Sequence, residues 1–403
     1  MKAREPLHAH RAASCALERF TVLDLSRVRS GPTASRQFAD WGADVIAVEP
    51  PQSLDDNDPH VGPRSGSDFQ NLNRNRRGIT LNLKHPEGVA LLKRLVLDAD
   101  VLLENFRPAV KDRLGVGYEA MSALNPRIVY ASISGFGQHG PYRDRPGFDQ
   151  IAQGMSGIMS ITGRPGEGPL RVGIPVGDLC AGLFCAYGVL VALLEREVSG
   201  KGQWVQTSLV QSLAFMLDVQ AARWLMDGTP PRQHGNHHPT IAPTGTFRTQ
   251  DGHVNLAIVG ETIWERFCNA LEQPGWKVDP DFATNADRLR HQDRLHKAIE
   301  RVFARAPSDH WVHELNAQGV PCGPIYTVDE MFDDVQFRGL GMVRELAKQD
   351  STVRYLAQPV HLTRTPSDVV AHPPSRGEHT DDILGGIGLS AQDIARLRAH
   401  RVI

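Results

Sequence analysis

One carboxylate in the sequence is set where covalent chemistry is feasible. Asp178 lies in the glycine-punctuated turn Gly173-Ile-Pro-Val-Gly-Asp-Leu-Cys-Ala-Gly182, and no charged residue occurs from Leu179 to Leu194. That run is shorter than the roughly 18 to 20 apolar residues of a membrane span, so it predicts a buried helix with Asp178 at its N-terminus. Two roles fit this place. Asp178 could be an N-cap, which spacing alone favours, or the glycines could clear space for a substrate to reach an attacking carboxylate.

Alternating strand and helix patterns must position this turn. An apolar strand at 20–25 is followed by a helix at 30–42, with Ser30 as its cap and proline in its first turn, and by a strand at 44–49. The same alternation continues in strands at 79–83, 100–105 and 127–134 and helices at 86–97 and 117–124. The pattern predicts a doubly wound parallel α/β sheet, whose ligands lie at the carboxyl ends of its strands. Those ends carry residues 26–31, 105–107 and 135–137.

The turn after the first strand excludes one large class of such folds. It reads Ser-Arg-Val-Arg-Ser-Gly-Pro and lacks the G-x-G-x-x-G that admits a pyrophosphate. A nicotinamide or flavin dehydrogenase is therefore disfavoured.

The second half of the chain predicts a smaller domain. A strand at 203–209 and a helix at 210–226 precede a Gly/Pro-rich loop at 227–245, which we interpret as a linker. An Asp-Gly hairpin at 246–258 and helices near 261–271, 287–305 and 308–318 indicate an α+β domain. The predicted division is a poorly ordered extension at 1–17, a large domain beginning at 18–228, a small domain at 229–330 and a return segment at 331–403.

Composition excludes several classes of partner. The net charge of −2 argues against nucleic acid and anionic membranes. The N-terminus lacks the apolar core of a secretory signal, and no other segment is apolar enough to span a bilayer. Five cysteines without a C-x-x-C pair indicate neither a disulfide framework nor a zinc site. Reduced thiols in a cytoplasmic protein are the simpler expectation, and Cys322, in a rigid Pro-Cys-Gly turn, is expected to be structural.

Two further clusters admit a plain and a functional interpretation. The arginines of Asn73-Arg-Asn-Arg-Arg-Gly78 could hold phosphate, although such runs are more often solvated faces. His234, His237 and His238 could suggest a metal, but no acidic residue or cysteine lies at ligand spacing nearby, so no metal site is predicted.

Taken together, the order and spacing of several motifs resemble the family III CoA-transferases, the carnitine and bile-acid CoA-transferase family, over 18–403. The likeness rests on Asp24-Leu-Ser-Arg-Val-Arg-Ser-Gly-Pro32, Gly42-Ala-Asp-Val-Ile-Ala-Val-Glu49, Asn75-Arg-Arg-Gly-Ile, Glu104-Asn-Phe-Arg-Pro108, Gly177-Asp178, Gly200-Lys-Gly-Gln203 and Gly377-Glu-His-Thr380. The resemblance implies an interlocked homodimer in which both chain ends build the large Rossmann-like domain.

It also implies a mechanism and a set of contacts. Asp178 would be the nucleophile, an acyl-CoA and a small carboxylic acid would be the substrates, and no cofactor would be tightly bound. The residues that match CoA contacts of formyl-CoA transferase are Arg29, Ser30, Leu81, Lys84, Asn105, Phe106, Arg107 and Arg113. Pro50 replaces an arginine of that enzyme, Arg29 replaces a glutamine, and the loop at 234–239 stands where that enzyme has a glycine-rich lid.

Two alternatives come from the same resemblance. An α-methylacyl-CoA racemase would need a histidine base where this chain has Gly147-Phe148-Asp149. A non-catalytic CoA-binding protein would have no use for Asp178 in its turn. We therefore expect CoA transfer, and because a guanidinium pairs bidentately with carboxylates, Arg29 suggests a dicarboxylate such as succinyl-CoA as donor.

Overall fold

The computed structural model describes residues 11–52, 63–348 and 351–403, and the chain divides into two compact units. Unit 1 combines the described residues of Met1–Ile158 with Arg171–Gly228 and Leu340–Ile403. Unit 2 consists of Met159–Leu170 and Thr229–Gly339.

Unit 1 is organised around a six-stranded parallel sheet. Its strands are β1 (Thr21–Asp24), β2 (Asp44–Glu49), β3 (Arg77–Thr80), β4 (Val101–Glu104), β5 (Val129–Ser134) and β6 (Trp204–Ser208). Every neighbouring pair is parallel, in the order β3-β2-β1-β4-β5-β6. This is the order of a doubly wound sheet, so the predicted parallel α/β architecture is confirmed.

Helices fill the connections between these strands. They are α1 (Ser30–Asp40), α2 (Ser67–Asn73), α3 (Pro86–Val96), α4 (Pro108–Leu114), α5 (Tyr118–Leu124), α6 (Asp149–Met155) and α8 (Val176–Ser199), while α9 (Leu209–Met216) and α10 (Val219–Asp227) follow β6. The short α7 (Ile158–Ile161) lies at the boundary between the two units. Alternate strand residues enter different cores, since successive side chains of a strand point to opposite faces. Leu23 belongs to the core that includes α3, and Val22 to the core that includes α1 and α8.

The C-terminal segment returns to unit 1. It forms β10 (Val343–Lys348), β11 (Ser351–Leu356), α17 (Thr380–Gly386) and α18 (Ala391–Ala399). Ile383, Leu384 and Leu397 are buried in the same core as Leu23, and the Thr80 amide donates to the Thr380 hydroxyl over 3.1 Å. The last residues of the chain therefore complete the layer over one face of the sheet.

Unit 2 contains an antiparallel sheet of β7 (Thr244–Arg248), β8 (His253–Ala257) and β9 (Cys322–Pro324). Around it lie α11 (Glu261–Ala270), a 3₁₀ turn (Pro274–Lys277), α12 (Asn285–Arg290), α13 (Gln292–Phe303), α14 (Ser308–Ala317), α15 (Val328–Asp333) and α16 (Val335–Gly339). The predicted Asp-Gly hairpin is confirmed by the pairing of β7 with β8. The rigid turn predicted at Cys322 is wrong, because that residue pairs with Leu256 as part of β9.

Several predicted boundaries also need correction. Residues 1–10 of the predicted extension lie outside the described residues, as do residues 53–62, but the Ser14 hydroxyl donates to the Thr365 carbonyl and Ala13 is buried. The helix predicted at 210–226 is interrupted at Asp218, whose φ of 44° is left-handed, and the one at 287–305 is divided at His291.

The central helix is longer than its uncharged run. α8 has 24 residues and is long and apolar enough to cross a membrane by length and composition, with half of its most apolar window buried inside the protein. The expectation that it is too short for a span is therefore wrong on length. Cys185, Ala186 and Val189 are buried in the unit 1 core, so that face belongs to the packing of the sheet.

Candidate active site

The turn between β1 and α1 has an unusual backbone. Val28 has a φ of 67°, a left-handed conformation that is rare for a β-branched residue. Surrounding contacts hold the turn: Asn105 accepts from the Arg27 amide over 3.0 Å and donates to the Arg27 carbonyl over 2.7 Å. A Cβ at Gly31 would clash with the side chain of Ser26. The hydrogen bonds of Asn105 and the close approach of Gly31 to Ser26 thus fix where Arg29 and Ser30 lie.

Asp178 lies in the first turn of α8, as the third residue of the helix. The N-cap is Pro175, and no side chain of the N-cap residue accepts a hydrogen bond there. The N-cap interpretation of Asp178 is therefore wrong. Asp178 is partly buried, and the Ser30 side chain hydrogen-bonds to its carboxylate.

Glycines bring these two segments together. A Cβ at Gly182 would lie 2.6 Å from the Ser30 carbonyl oxygen and 2.8 Å from Thr33 Cβ, so only glycine permits this approach of α8 to α1. A Cβ at Gly177 would meet other packed atoms at 3.0 Å, whereas one at Gly173 would have nothing within 4 Å. Of the three glycines predicted to clear space for a substrate, only Gly173 faces open space.

The surroundings of Asp178 raise the pKa of its carboxyl group above the value it would have in water. Burial, and then the charge of Asp149, raise the pKa of Asp178 to about 6, against the lowering effects of Arg29 and Ser30. The carboxylate is consequently ionised at neutral pH but poorly stabilised.

Arg29 has a counter-ion of its own. Its Nη2 donates to Asp68 Oδ2 over 2.7 Å, and the arginine side chain is 27% exposed. Arg29 also lines a cavity of about 180 Å³, together with Ser26, Pro32 and Phe69, whereas Asp178 lies outside that cavity. A substrate carboxylate at Arg29 would have to share the guanidinium with Asp68 or displace it.

The other sequence-predicted contact residues fall into separate groups. Lys84 and Arg113 are exposed and line one open groove of about 530 Å³ with His85 and Lys93. Asn105 supports the β1–α1 turn as described, and Arg107 is the exposed N-cap residue of α4.

Two predicted contact residues are engaged in packing. Leu81 is 1% exposed within the core, and Phe106 packs against the same core. The whole residue is buried and its amide donates to the Glu49 carbonyl over 2.8 Å, so Leu81 presents no surface to a ligand.

The arginine run at 74–77 is neither a phosphate cradle nor a solvated face. Arg74, Arg76 and Arg77 are buried and pair with Asp40, Asp24 and Asp44, respectively, at 2.5 to 3.0 Å. Each guanidinium is therefore neutralised inside unit 1.

The histidine loop has a packing role in unit 2. The rings of His237 and His296 lie 4.0 Å apart, and His296 also stacks on Phe247. Within the described ranges, no group of three or more His, Cys, Asp or Glu side chains is placed to hold a metal ion.

Sequence reasoning missed one residue next to Asp178. Asp149, at the start of α6, accepts from the Gly177 amide over 2.7 Å and from the Asp178 amide over 3.4 Å. The sequence around Asp149 shows directly only that the histidine base of racemases is absent, because Phe148 stands in its place. The signal that could have found it is an aspartate opening a helix directly after Gly147-Phe148.

Unit 1 thus combines a parallel α/β sheet with a partly buried carboxylate at a helix start, and comparison with known proteins identifies the family to which the chain belongs. The family model described as CoA-transferase family III matches residues 17–380. The chain belongs to this family and is a CoA-transferase, an enzyme that uses CoA thioesters as substrates.

Named relatives and a solved structure agree with that assignment. The succinate–glutarate CoA-transferase of Agrobacterium fabrum is 36% identical, covering 90% of this chain and 93% of the relative. The acetyl-CoA:oxalate CoA-transferase of Acetobacter aceti is 39% identical, covering 77% and 80%. A CaiB/BaiF family protein from Brucella suis has a similar crystal structure, with a TM-score of 0.82, 34% identity and coverage of 93% and 100%.

Proposed function

We propose that this enzyme transfers CoA from an acyl-CoA to a carboxylic acid through a covalent thioester on Asp178. The observation that carries the proposal is the state of that carboxylate. It is ionised at neutral pH, partly shielded from water and held by Ser30 near the positive charge of Arg29. A carboxylate that is poorly stabilised by its surroundings is a better nucleophile than one in water.

The proposed steps balance without a redox partner or a net proton. An Asp178 oxygen attacks the acyl carbon of the donor thioester, the C–S bond breaks, and a mixed anhydride and CoA thiolate form. The thiolate attacks the aspartyl carbonyl, the anhydride C–O bond breaks, and the donor acid leaves. An acceptor carboxylate then repeats the two steps in reverse, which regenerates Asp178 and yields the acceptor's thioester.

The CoA contacts are proposals at the predicted positions. Arg29 and Ser30 would face the thioester, because Ser30 already bonds to Asp178. Lys84 and Arg113 would hold phosphates, since they present two cations to one exposed groove. Asn105, Phe106 and Arg107 would complete the surface at the carboxyl ends of the strands.

A dicarboxylate is the proposed acyl group, with succinyl-CoA as donor. A guanidinium can pair with the second carboxylate of such a substrate, and Arg29 supplies one next to Ser30. The two relatives described above are named for succinate, glutarate and oxalate. Arg29→Gln should lower the preference for dicarboxylates over monocarboxylates of the same length. An unchanged ratio of kcat/KM values across succinate, glutarate, oxalate and butyrate as acceptors would contradict this assignment.

The homodimer is likewise proposed, with a second copy covering one face of α8. Leu183, Tyr187, Val191, Leu194 and Val198 recur at helical spacing, and each is exposed, Val198 by 91%. An apolar stripe of this length is unusual on a monomer's surface. Light scattering should give twice the chain mass, and Tyr187→Glu with Val191→Glu should reduce the mass to that of one chain. A monomeric wild type would contradict the dimer.

Intact-protein and peptide mass spectrometry after incubation with succinyl-CoA tests the central proposal. We expect a CoA-sized adduct on the peptide that contains Asp178, converted to a hydroxamate by hydroxylamine and absent from Asp178→Ala. The Asp178→Ala protein should lose transfer by at least about a thousandfold, as expected when a nucleophile is removed. If several acyl-CoAs gave no adduct and the enzyme instead exchanged deuterium at the α-carbon of a branched acyl-CoA, the proposed function would be wrong.

A further inference from the structure

A second carboxylate lies against the main chain that carries Asp178. Asp149 is 8% exposed, and its Oδ1 accepts from the amides of Gly177 and Asp178. Its Oδ2 accepts from Gln153 Nε2 over 2.6 Å and lies 4.0 Å from Arg171 Nη2. All of these contacts lie within unit 1.

This arrangement supplies a partner that α8 otherwise lacks. The first amides of a helix have no acceptor within the helix, and the N-cap residue Pro175 offers no side-chain acceptor. Asp149 takes that role from a segment 28 residues earlier in the chain. Gly177 permits it, because a Cβ there would lie 3.0 Å from Asp149 Oδ1.

Gln153 supports in the same way the chain segment that leads into α8. Its Nε2 bonds to Asp149, and its Oε1 accepts from the Val172 amide over 2.9 Å. The backbone is therefore held on both sides of the turn that ends in Asp178.

We propose that Asp149 is a positioning residue for the CoA-transfer step, which fixes the backbone of the nucleophile and, by its charge, keeps the Asp178 carboxylate weakly stabilised. The inference deepens the proposed function and rests on it. Asp149 occupies the amide donors that would otherwise stabilise Asp178 at a helix N-terminus. The ionised form of Asp178 is then stabilised by the Ser30 hydrogen bond and by the positive charge of Arg29.

The charges around Asp178 give the direction of the effect. Asp149 raises the pKa of Asp178 and Arg29 lowers it, while Asp68 is paired with Arg29 and Arg171 lies beside Asp149. Removing the charge of Asp149 should therefore lower the pKa of Asp178 and make its carboxylate less nucleophilic.

The test uses two substitutions that separate position from charge. Asp149→Asn retains an oxygen that can accept from Gly177 but loses the charge, and Asp149→Ala loses both. Asp393→Asn is the matched control, since Asp393 is also a first-turn carboxylate of a helix, α18, and is exposed.

The first readout needs no acyl-CoA. The pH dependence of Asp178 labelling by a water-soluble carbodiimide with glycine methyl ester, measured on the peptide by mass spectrometry, reports the protonation of that carboxyl. We expect a midpoint near 6 in the wild type and in Asp393→Asn, and a lower midpoint in Asp149→Asn. Failure of the proposed function would appear as no CoA adduct in the wild type and would leave this titration readable.

The second readout is the rate of CoA-adduct formation on Asp178 in a single turnover. Asp149→Ala should react about 10- to 100-fold more slowly, as for loss of a hydrogen bond to a charged group, and Asp149→Asn should be less impaired. An unchanged midpoint in Asp149→Asn, or a wild-type rate in Asp149→Ala, would overturn the proposal. If the Asp149 variants fail to fold, Gly177→Ala perturbs the same contact from the other side, and a wild-type rate in that protein would also overturn it.

Discussion

Two clusters of charged side chains in unit 1 differ in how completely they are paired. Arg74, Arg76 and Arg77 each lie against a buried aspartate. The charge of Arg29 lowers the pKa of Asp178 and that of Asp149 raises it, while Arg29 itself is paired with Asp68. Complete pairing marks the first cluster as part of the core, whereas incomplete pairing marks the second as a candidate functional site.

The paired cluster gives the largest predicted effect on stability. Arg76 donates to Asp24 over 3.0 Å and to the carbonyls of Pro32 and Leu72, so Arg76→Met should leave a buried carboxylate without its counter-ion. We expect a loss of about 3 to 5 kcal/mol in the free energy of unfolding. Urea denaturation measures it, with the exposed Arg143→Met as a control expected within about 0.5 kcal/mol of the wild type. A near-neutral Arg76→Met would show that the pairing contributes little.

The close approach of α1 and α8 should be the next most sensitive feature. Gly182→Ala would force a Cβ to within 2.6 Å of the Ser30 carbonyl, and overpacking of this kind costs about 1 to 3 kcal/mol. Because the shift would separate Ser30 from Asp178, transfer activity should also fall. Gly173→Ala is the matched substitution in open space and should leave the melting temperature unchanged. Equal stability of both variants would contradict the role given to Gly182.

A substitution in the incompletely paired cluster around Asp178 should raise the free energy of unfolding, whereas the two substitutions above should lower it. The pKa of Asp178 is raised, so the folded protein binds more protons there than the unfolded chain, and the stability from this group is lost as the pH rises through about 6. Asp178→Asn should therefore stabilise the protein at pH 8, by about 1 to 2 kcal/mol once partial exposure is allowed for. Denaturation at pH 5 and pH 8 tests this, and a destabilised Asp178→Asn protein at pH 8 would contradict it.

The last prediction is the pH dependence of the wild-type enzyme. If Asp178 attacks as a carboxylate, kcat should fall about tenfold per pH unit below a midpoint near 6 and level off above it. A profile from pH 4.5 to 8 measures the midpoint. A midpoint near the usual aspartate value would mean that the catalytic complex relieves the burial.

Local patterns in the sequence were sufficient to predict the parallel sheet and to select Asp178 as a candidate nucleophile. The bounds of β2 were predicted at 44–49 and observed there. Gly42 ends the preceding helix and Pro50 follows the apolar run, so the sequence leaves little choice for where this strand begins and ends. Asp178 was singled out by a single carboxylate among glycines before an apolar run. The resemblance then supplied its role, which remains a proposal.

Tertiary structure decided how each charge is used, because pairing depends on residues far apart in the chain. Arg76 meets Asp24 from 52 positions away, so no local pattern separated a buried ion pair from a phosphate site. Asp149 meets the start of α8 from 28 positions away, which removed the capping role that spacing had given to Asp178. The sequence determined which elements form and which side chains they carry. Which carboxylate accepts from the first amides of α8 and which does not was decided by packing, since both are aspartates and differ only in the donors that the fold places beside them.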